Sequence, residues 1–340
     1  MKRSGKGNRP ERFLVISTTG IGDTLMGTPA LRALKLSFPD SQVHLLLKSQ
    51  SAGLLYRNPY VDRILRYRNN PFSRGLLFLK TYRTDYDHIL VFHANEDLWK
   101  ILRVVRYGDC YNRQNYADPA RRVMRLDSIP KHSIQKRLAL VEKVGGKDAK
   151  DYRYDYLLPP SEIHWAEEKL REWGISPKDR MVGIQPGAAD PFKRWPLESF
   201  VRVAKYLCRH HGVKIYLNAS ARERDWVEQF ARDFGEGPFF CNAKGSLSQS
   251  AALIKKCSLF ISNDTGPMHM AIGLGVPLIA LFCPTRPEVT GPLGYSRSMA
   301  IQKTMPCNPC RVRDCPDNFC MRQISVEEVC QTAEKFLAGG

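Results

Sequence analysis

Short apolar runs and stretches of helical periodicity alternate along the whole chain. In the first half, Phe13–Ser17, Val43–Leu47, Arg63–Tyr67 and His88–Phe92 predict strands, and Leu25–Ser37, Asp97–Arg106 and Ser133–Val144 predict helices. The alternation then restarts. Met181–Gln185, Lys214–Asn218, Leu259–Ser262 and Pro277–Phe282 predict strands, with helices at Phe200–Arg209, Arg222–Phe234, Leu247–Cys257 and Met268–Leu274. Ser246 with Gln249, and Ser325 with Glu328, have the spacing of capping boxes. Strand–helix alternation implies a parallel sheet covered by helices on both faces. Its restart implies an α/β protein of two Rossmann-like, doubly wound domains. Leu158-Pro159-Pro160 breaks the pattern and the helix Glu162–Trp173 opens the second half, so the expected domains are 1–160 and 161–340. Ligands of open α/β sheets sit beyond the carboxyl ends of the strands, so the loop after each half's opening strand is expected to border a shared cleft.

A chain of 340 residues fits two domains, and 43% hydrophobic with 25% charged residues excludes a disordered or fibrous protein. The longest apolar stretch, Val276–Cys283, is far short of the about 20 residues of a membrane helix. The N-terminus is basic, but the apolar segment behind it, Phe13–Ser17, is too short for a signal-peptide core. A cytoplasmic protein is expected. Net charge is +18, and its distribution is uneven: residues 1–160 hold 29 Lys and Arg against 15 Asp and Glu, while residues 161–340 hold 23 against 19. The first half therefore faces something anionic, or carries a solvated basic surface without a specific partner. Nucleic acid, a phospholipid surface and a phosphorylated substrate all fit that charge.

Three constellations carry candidate chemistry. Ser17-Thr-Thr-Gly-Ile-Gly-Asp-Thr-Leu25 runs from a strand into a helix, where backbone N–H groups favour an anion. Its glycines, Gly20, Gly22 and Gly27, do not match the dinucleotide fingerprint, and the second strand ends in Lys48 rather than an acid. Asp23 reads as a proton acceptor or as a helix N-cap. In the second constellation, Gln185-Pro-Gly-Ala-Ala-Asp-Pro-Phe-Lys-Arg-Trp-Pro196, Lys193 and Arg194 lie beside a loop whose amides suit a diphosphate, or Lys193 is simply solvated. The third, Ser262-Asn-Asp-Thr-Gly-Pro-Met-His269, puts a small polar turn at a helix start, capped by Asp264 or Thr265, with His269 as a buried histidine. Phe282-Cys-Pro-Thr-Arg-Pro-Glu288 adds a further strand-end loop.

In this order and spacing the motifs resemble the family-9 glycosyltransferases, the ADP-heptose:lipopolysaccharide heptosyltransferases. The resemblance rests on Gly22-Asp23 with Pro29-Ala30-Leu31, on Pro186-Gly187-Ala188 with Lys193-Arg194-Trp195-Pro196, and on Asn263-Asp264-Thr265-Gly266-Pro267 with His269. Pro284-Thr285 with Gly291-Pro292 extends it. It implies a GT-B architecture in which residues 1–160 bind the acceptor and residues 161–340, including a Cys-rich segment 307–320, bind the nucleotide-sugar. It implies an inverting transfer of heptose from ADP-heptose to the lipopolysaccharide inner core, with no metal and no cofactor. Carried over by residue, Asp23 is the general base in an acceptor-side loop with Gly20 and Gly22, and Lys193 neutralises the departing diphosphate. Gly187, Ala188 and Ala189 approach the diphosphate oxygens, with alanines where some members carry threonines. Asp264, Thr265 and Gly266 meet the donor, His269 supports that turn, and Glu223 corresponds to an acidic residue near the ribose. An anionic, lipid-linked acceptor would account for the basic first half and place the enzyme peripherally on the inner face of the inner membrane.

Cys307, Cys310, Cys315 and Cys320 cluster among prolines and charges. One C-x-x-C pair in so compact a run does not make a zinc ribbon, so no metal site is assigned. The runner-up is the same fold with another nucleotide-sugar or acceptor, and the rival from another class is an RNA-binding or RNA-modifying protein, which requires aromatic residues interleaved with basic ones on an exposed strand face. Tyr107, Tyr111 and Tyr116 near Arg106 and Arg113 are the candidates. On the heptosyltransferase reading no nucleic-acid partner is expected.

Overall fold

The computed structural model describes residues 9–55, 57–94, 98–112, 123–126, 128, 130–147, 149–303 and 319–338. The chain divides into two compact units, Met1–Asp155 and Tyr156–Gly340. Pro159 and Pro160 do not terminate structure: they are the N-cap and first residue of a helix, where a missing N–H costs nothing.

The first unit runs β1 (Arg12–Ser17), α1 (Ile21–Leu25), α2 (Thr28–Ser37), β2 (Gln42–Lys48), β3 (Arg63–Tyr67), α3 (Pro71–Thr81), β4 (Asp85–His93), α4 (Leu98–Leu102), β5 (Arg106–Asn112), β6 (Val123–Arg125) and α5 (Ser133–Lys143). Its described strands form one parallel sheet in the order β3-β2-β1-β4-β5-β6. β1 is buried from Phe13 to Ser17, as a central strand covered on both faces must be. Leu14, Ile16, Leu46, Ile89 and Val91 form the middle of the core.

Two expectations need correction here. The helix expected over Leu25–Ser37 is two helices, because Pro29 has no N–H to give the Leu25 carbonyl. That carbonyl accepts instead from Thr28 Oγ1 at 2.8 Å. Gly27 fills the break where a Cβ would lie 3.2 Å from the Phe92 ring. The helix expected over Asp97–Arg106 is in part a strand, since Arg106 opens β5, which pairs with both β4 and β6.

The second unit runs α6 (Pro160–Glu172), β7 (Met181–Gln185), α7 (Leu197–His211), β8 (Lys214–Leu217), α8 (Arg224–Phe234), β9 (Phe239–Cys241), α9 (Leu247–Lys255), β10 (Leu259–Asn263), α10 (Gly266–Gly273), β11 (Leu278–Phe282), α11 (Pro287–Thr290), β12 (Ser298–Gln302), α12 (Phe319–Arg322) and α13 (Val326–Ala338). Its sheet, β12-β11-β10-β7-β8-β9, is again parallel and repeats the strand order of the first. β7, β10 and β11 are buried end to end. The capping box at Ser246 and Gln249 forms with both hydrogen bonds. At α13 the Ser325 hydroxyl accepts from the Glu328 N–H at 3.1 Å, and the Glu328 carboxylate pairs with Lys303 at 2.6 Å.

Each sheet reverses its strand order at one place, between β1 and β4 in the first unit and between β7 and β10 in the second. Such a reversal splays the following loops apart and leaves a crevice beyond the strand ends. Those two places position the candidate chemistry.

Candidate active site

In the first unit, β1 ends at Ser17 and β4 at His93, and the Thr18 N–H donates to the His93 carbonyl at 2.9 Å. The loop then enters α1, whose N-cap is Gly20, exposed and with open space around it. The N-cap reading of Asp23 therefore fails: Asp23 lies one turn in, next to half-exposed Gly22. Its Oδ2 accepts from Thr19 Oγ1 at 2.9 Å, and its Oδ1 accepts from Arg137 Nη2 at 2.8 Å. His93 Nε2 stands 3.9 Å from the same Oδ1. The carboxylate keeps 24% of its side-chain surface in contact with solvent, whereas the Arg137 side chain is wholly buried. Arg137 Nη1 also donates to the Ser133 carbonyl at 2.7 Å. Burial pushes the Arg137 pKa down, and the charge and hydrogen bond of Asp23 push it back up. Tyr154 is half-buried nearby, and desolvation raises its phenol pKa, keeping it neutral. A part-exposed carboxylate held by hydrogen bonds from Thr19 and Arg137 is equipped to take a proton from a hydroxyl at fixed geometry.

In the second unit, the loop after β7 and the turn after β10 converge. Asn263 ties them together: its Oδ1 accepts from the Trp195 N–H at 3.1 Å and its Nδ2 donates to the Pro186 carbonyl at 2.7 Å. Trp195 is buried edge-on against Phe200, with its indole N–H on the Ile324 carbonyl at 3.0 Å. This anchor fixes the preceding residue pair. Lys193 Nζ meets Asp264 Oδ2 at 3.0 Å, with Asp190 at 3.8 Å. Arg194 points elsewhere. Its Nε donates to the Ala188 carbonyl at 2.8 Å and its guanidinium lies 4.8 Å over the Trp226 ring. Of the two cations, Lys193 faces the turn and Arg194 holds the loop.

Glu223 Oε2 accepts from both the N–H and the hydroxyl of Ser220 at 2.7 Å. Its Oε1 lies 1.6 Å from where a Cβ on Gly187 would be, so position 187 has no room for a side chain while Glu223 stays there. Ala188 is buried and Ala189 exposed. Asp264 is nearly buried, Thr265 is the N-cap of α10, and Gly266 and Pro267 make its first turn. In that turn Pro267 has no N–H and the Met268 N–H donates to the Thr265 carbonyl at 3.1 Å, which leaves the Gly266 N–H to favour an anion. Gly187, Ala188, Ala189, Lys193, Glu223, Asp264, Thr265 and Gly266 thus come together beyond the carboxyl ends of β7 and β10, with a cation, the Gly266 amide and loop amides suited to a diphosphate. His269 lies buried in the body of α10.

Sequence reasoning missed Arg137, His93 and Thr19 around Asp23, and Thr290, whose Oγ1 lies 3.5 Å from Asp264 Oδ1. A signal existed for Arg137, an arginine on the apolar face of a helix with Ile134, Leu138 and Val141. Cys307, Cys310 and Cys315 lie outside the described residues, and Cys320 is half-buried in α12. Of the candidates for an RNA-binding strand face on β5, Tyr107 is half-buried beside exposed Arg106. Tyr111 is buried, and β5 is flanked by β4 and β6. Arg113 and Tyr116 lie outside the described residues. No helix among the described residues is long and apolar enough to cross a membrane.

The profile of glycosyltransferase family 9 (heptosyltransferase) matches residues 101–319, more than half of the chain. The lipopolysaccharide heptosyltransferase 2 of Salmonella typhimurium is 27% identical over 305 residues, covering 84% of this chain and 86% of its own. Among solved structures, a family-9 glycosyltransferase from Veillonella parvula superposes with a TM-score of 0.83 at 23% identity, covering 98% of both chains. The ADP-heptose lipopolysaccharide heptosyltransferase II of E. coli superposes with a TM-score of 0.74 at 20% identity, covering 96% of this chain and 99% of the other. These structural likenesses are likenesses of fold, two doubly wound α/β units in the GT-B architecture. The chain belongs to glycosyltransferase family 9, the heptosyltransferases.

Proposed function

We propose that this glycosyltransferase moves a heptose from ADP-heptose to a hydroxyl of the lipopolysaccharide inner core. The observation that carries the reading is the Lys193–Asp264 pair, 3.0 Å apart beside the Gly187 loop and the start of α10. Asp264 offsets much of the Lys193 charge, so two phosphates bound there need the loop and helix-start amides as well as the ammonium. The names of the relatives support the same donor and acceptor, one naming lipopolysaccharide and another ADP-heptose as well.

On this reading the first unit binds the acceptor and the second the nucleotide-sugar. The acceptor oxygen attacks the anomeric carbon as its proton passes to Asp23. The bond from that carbon to the diphosphate oxygen breaks, and ADP leaves with the bonding electrons. A single displacement inverts the anomeric centre. Charge grows on the diphosphate as the bond breaks, which is where Lys193 and the amides of 187–189 act, with no divalent ion required. Arg137 holds the Asp23 carboxylate in orientation. The acceptor is anionic and lipid-linked, matched by the excess of 29 Lys and Arg over 15 Asp and Glu in residues 1–160, and the enzyme works peripherally at the cytoplasmic face of the inner membrane.

The test is turnover with a panel of nucleotide-sugars and a heptose-deficient core acceptor, in EDTA, with the product anomer read by NMR. ADP-heptose consumption with inversion in EDTA is expected. Turnover with another donor only, retention of configuration, or activity restored by Mg²⁺ alone would each refute a part of the reading.

A further inference from the structure

Helix α3 carries its apolar residues on the wrong side for a surface helix. Ser73, Leu77 and Thr81, spaced by four, are buried toward the sheet. Outward, Phe72 is 82% exposed, Leu79 64%, Phe78 47%, Tyr82 41% and Leu76 38%. Phe72, Leu76 and Leu79 follow helical spacing and make one ridge. The helix is fastened to the sheet, so this ridge is not a loose end. Asn70 Oδ1 accepts from the Ser73 N–H at 2.7 Å, and Ser73 Oγ accepts from the Arg68 N–H at 2.8 Å.

The charge around the ridge selects what covers it. Between Arg63 and Thr84 the chain holds Arg63, Arg66, Arg68, Arg74, Lys80 and Arg83, and no Asp or Glu. All are exposed except Arg74, which is half-exposed, and the Arg83 guanidinium lies 5.1 Å over the Tyr82 ring. The exposed acids that bound this segment, Asp62 and Asp85, are paired with Lys35 and Arg106. The apolar ridge therefore lies in an excess of positive charge and fits an anionic interface, with aromatic and leucine side chains below the headgroups and guanidinium groups at the phosphates. A second copy of this chain is a poor match, since it would bring the same six cations and a net charge of +18.

We propose that α3 docks the enzyme on an anionic bilayer: Phe72, Leu76 and Leu79 enter the boundary between headgroups and acyl chains, and Arg68, Lys80 and Arg83 meet lipid phosphates. The proposal draws its purpose from the lipid-linked acceptor above, but its test does not depend on transfer. Full-length protein is floated with phosphatidylcholine vesicles and with vesicles one-quarter phosphatidylglycerol. Binding to the anionic vesicles only, weakened by salt, is expected. Phe72→Ser/Leu79→Ser should reduce it about tenfold or more, and Lys80→Gln/Arg83→Gln should reduce both the affinity and its salt dependence. Transfer to a deacylated, water-soluble acceptor should be unchanged in the Phe72→Ser/Leu79→Ser variant, while transfer to vesicle-embedded acceptor falls.

Should that variant lose its thermal transition, Phe72→Trp provides a second readout. Its fluorescence should shift to the blue with anionic vesicles, and no shift would overturn the proposal. Equal vesicle binding by wild type and both double variants would overturn it too. So would a lipid-free dimer that Phe72→Ser/Leu79→Ser dissociates, or RNA binding that outcompetes the vesicles. Vesicle binding without any heptosyl transfer would leave the docking helix standing and refute only the proposed reaction.

Discussion

The guanidinium of Arg137, with no side-chain surface exposed, stands 2.8 Å from Oδ1 of Asp23, which reaches solvent. One partner is locked into the core between α5 and the sheet, and the other projects beyond the end of β1. On the proposed mechanism the pairing links catalysis and stability at one carboxylate, and two substitutions at position 23 separate them.

Asp23→Asn keeps an oxygen for Arg137 but cannot accept a proton. The variant should fold, bind ADP-heptose close to normally, and lose about 10²–10⁴-fold in turnover. Isothermal calorimetry with ADP and a turnover assay check both halves; near-normal turnover would require another base.

Asp23→Ala removes the oxygen as well, leaving a buried cation without its anionic partner. Breaking such a pair costs up to about 3–5 kcal/mol in a closed interior, and less here because the carboxylate is partly solvated. Thermal unfolding should show a larger loss for Asp23→Ala than for Asp23→Asn. Adding Arg137→Met to Asp23→Ala should recover part of it.

Gly187→Ala tests the crowding between the 187–189 loop, proposed to bind the donor, and Glu223. The new Cβ displaces Glu223, the end of a flexible side chain, from its bonds to Ser220. ADP affinity should fall while overall stability changes by no more than about 1 kcal/mol. In the Glu223→Ala background the same substitution should have a smaller effect, a non-additivity that a double-mutant cycle measures.

The last stability prediction concerns pH. His44 is buried with its Nδ1 2.8 Å from the Tyr86 hydroxyl. Burial, then the Arg63 charge, lower its pKa below 6.5, and burial pushes Tyr86 up to about 12. The unfolded chain binds this proton more readily than the folded one, so stability increases with pH across the window. The contribution of neutral His44 is present above 6.5 and is lost as pH falls through the lowered value. Between about pH 7 and about pH 5 the unfolding midpoint should drop more in wild type than in His44→Gln.

Much of this architecture is legible from the chain because parallel strands covered on both faces are continuous apolar runs. Met181–Gln185 and Arg63–Tyr67 match their elements end to end. β5 escapes because Arg106-Tyr-Gly-Asp gains strand structure only from its neighbours β4 and β6. β9 has three residues and β12 lies at a sheet edge, so neither has a strong pattern of its own. At the site, the motifs locate Asp23, Lys193 and Asp264, but the partners arrive from distant segments. Arg137 lies 114 positions from Asp23, and no local pattern joins them. α3 is hidden for the opposite reason: its outward apolar face blurs the periodicity that marks a surface helix.

The most direct test is single-turnover transfer from ADP-heptose by wild type and Lys193→Ala, with circular dichroism to confirm the fold. Lys193 is the fixed positive charge beside the turn proposed to bind the diphosphate, 3.0 Å from Asp264. Its loss should lower kcat/KM by about 10²–10³-fold, with both donor affinity and the chemical step affected, because the leaving group becomes more negative as the bond breaks. An unaltered kcat/KM in a folded variant would contradict the account.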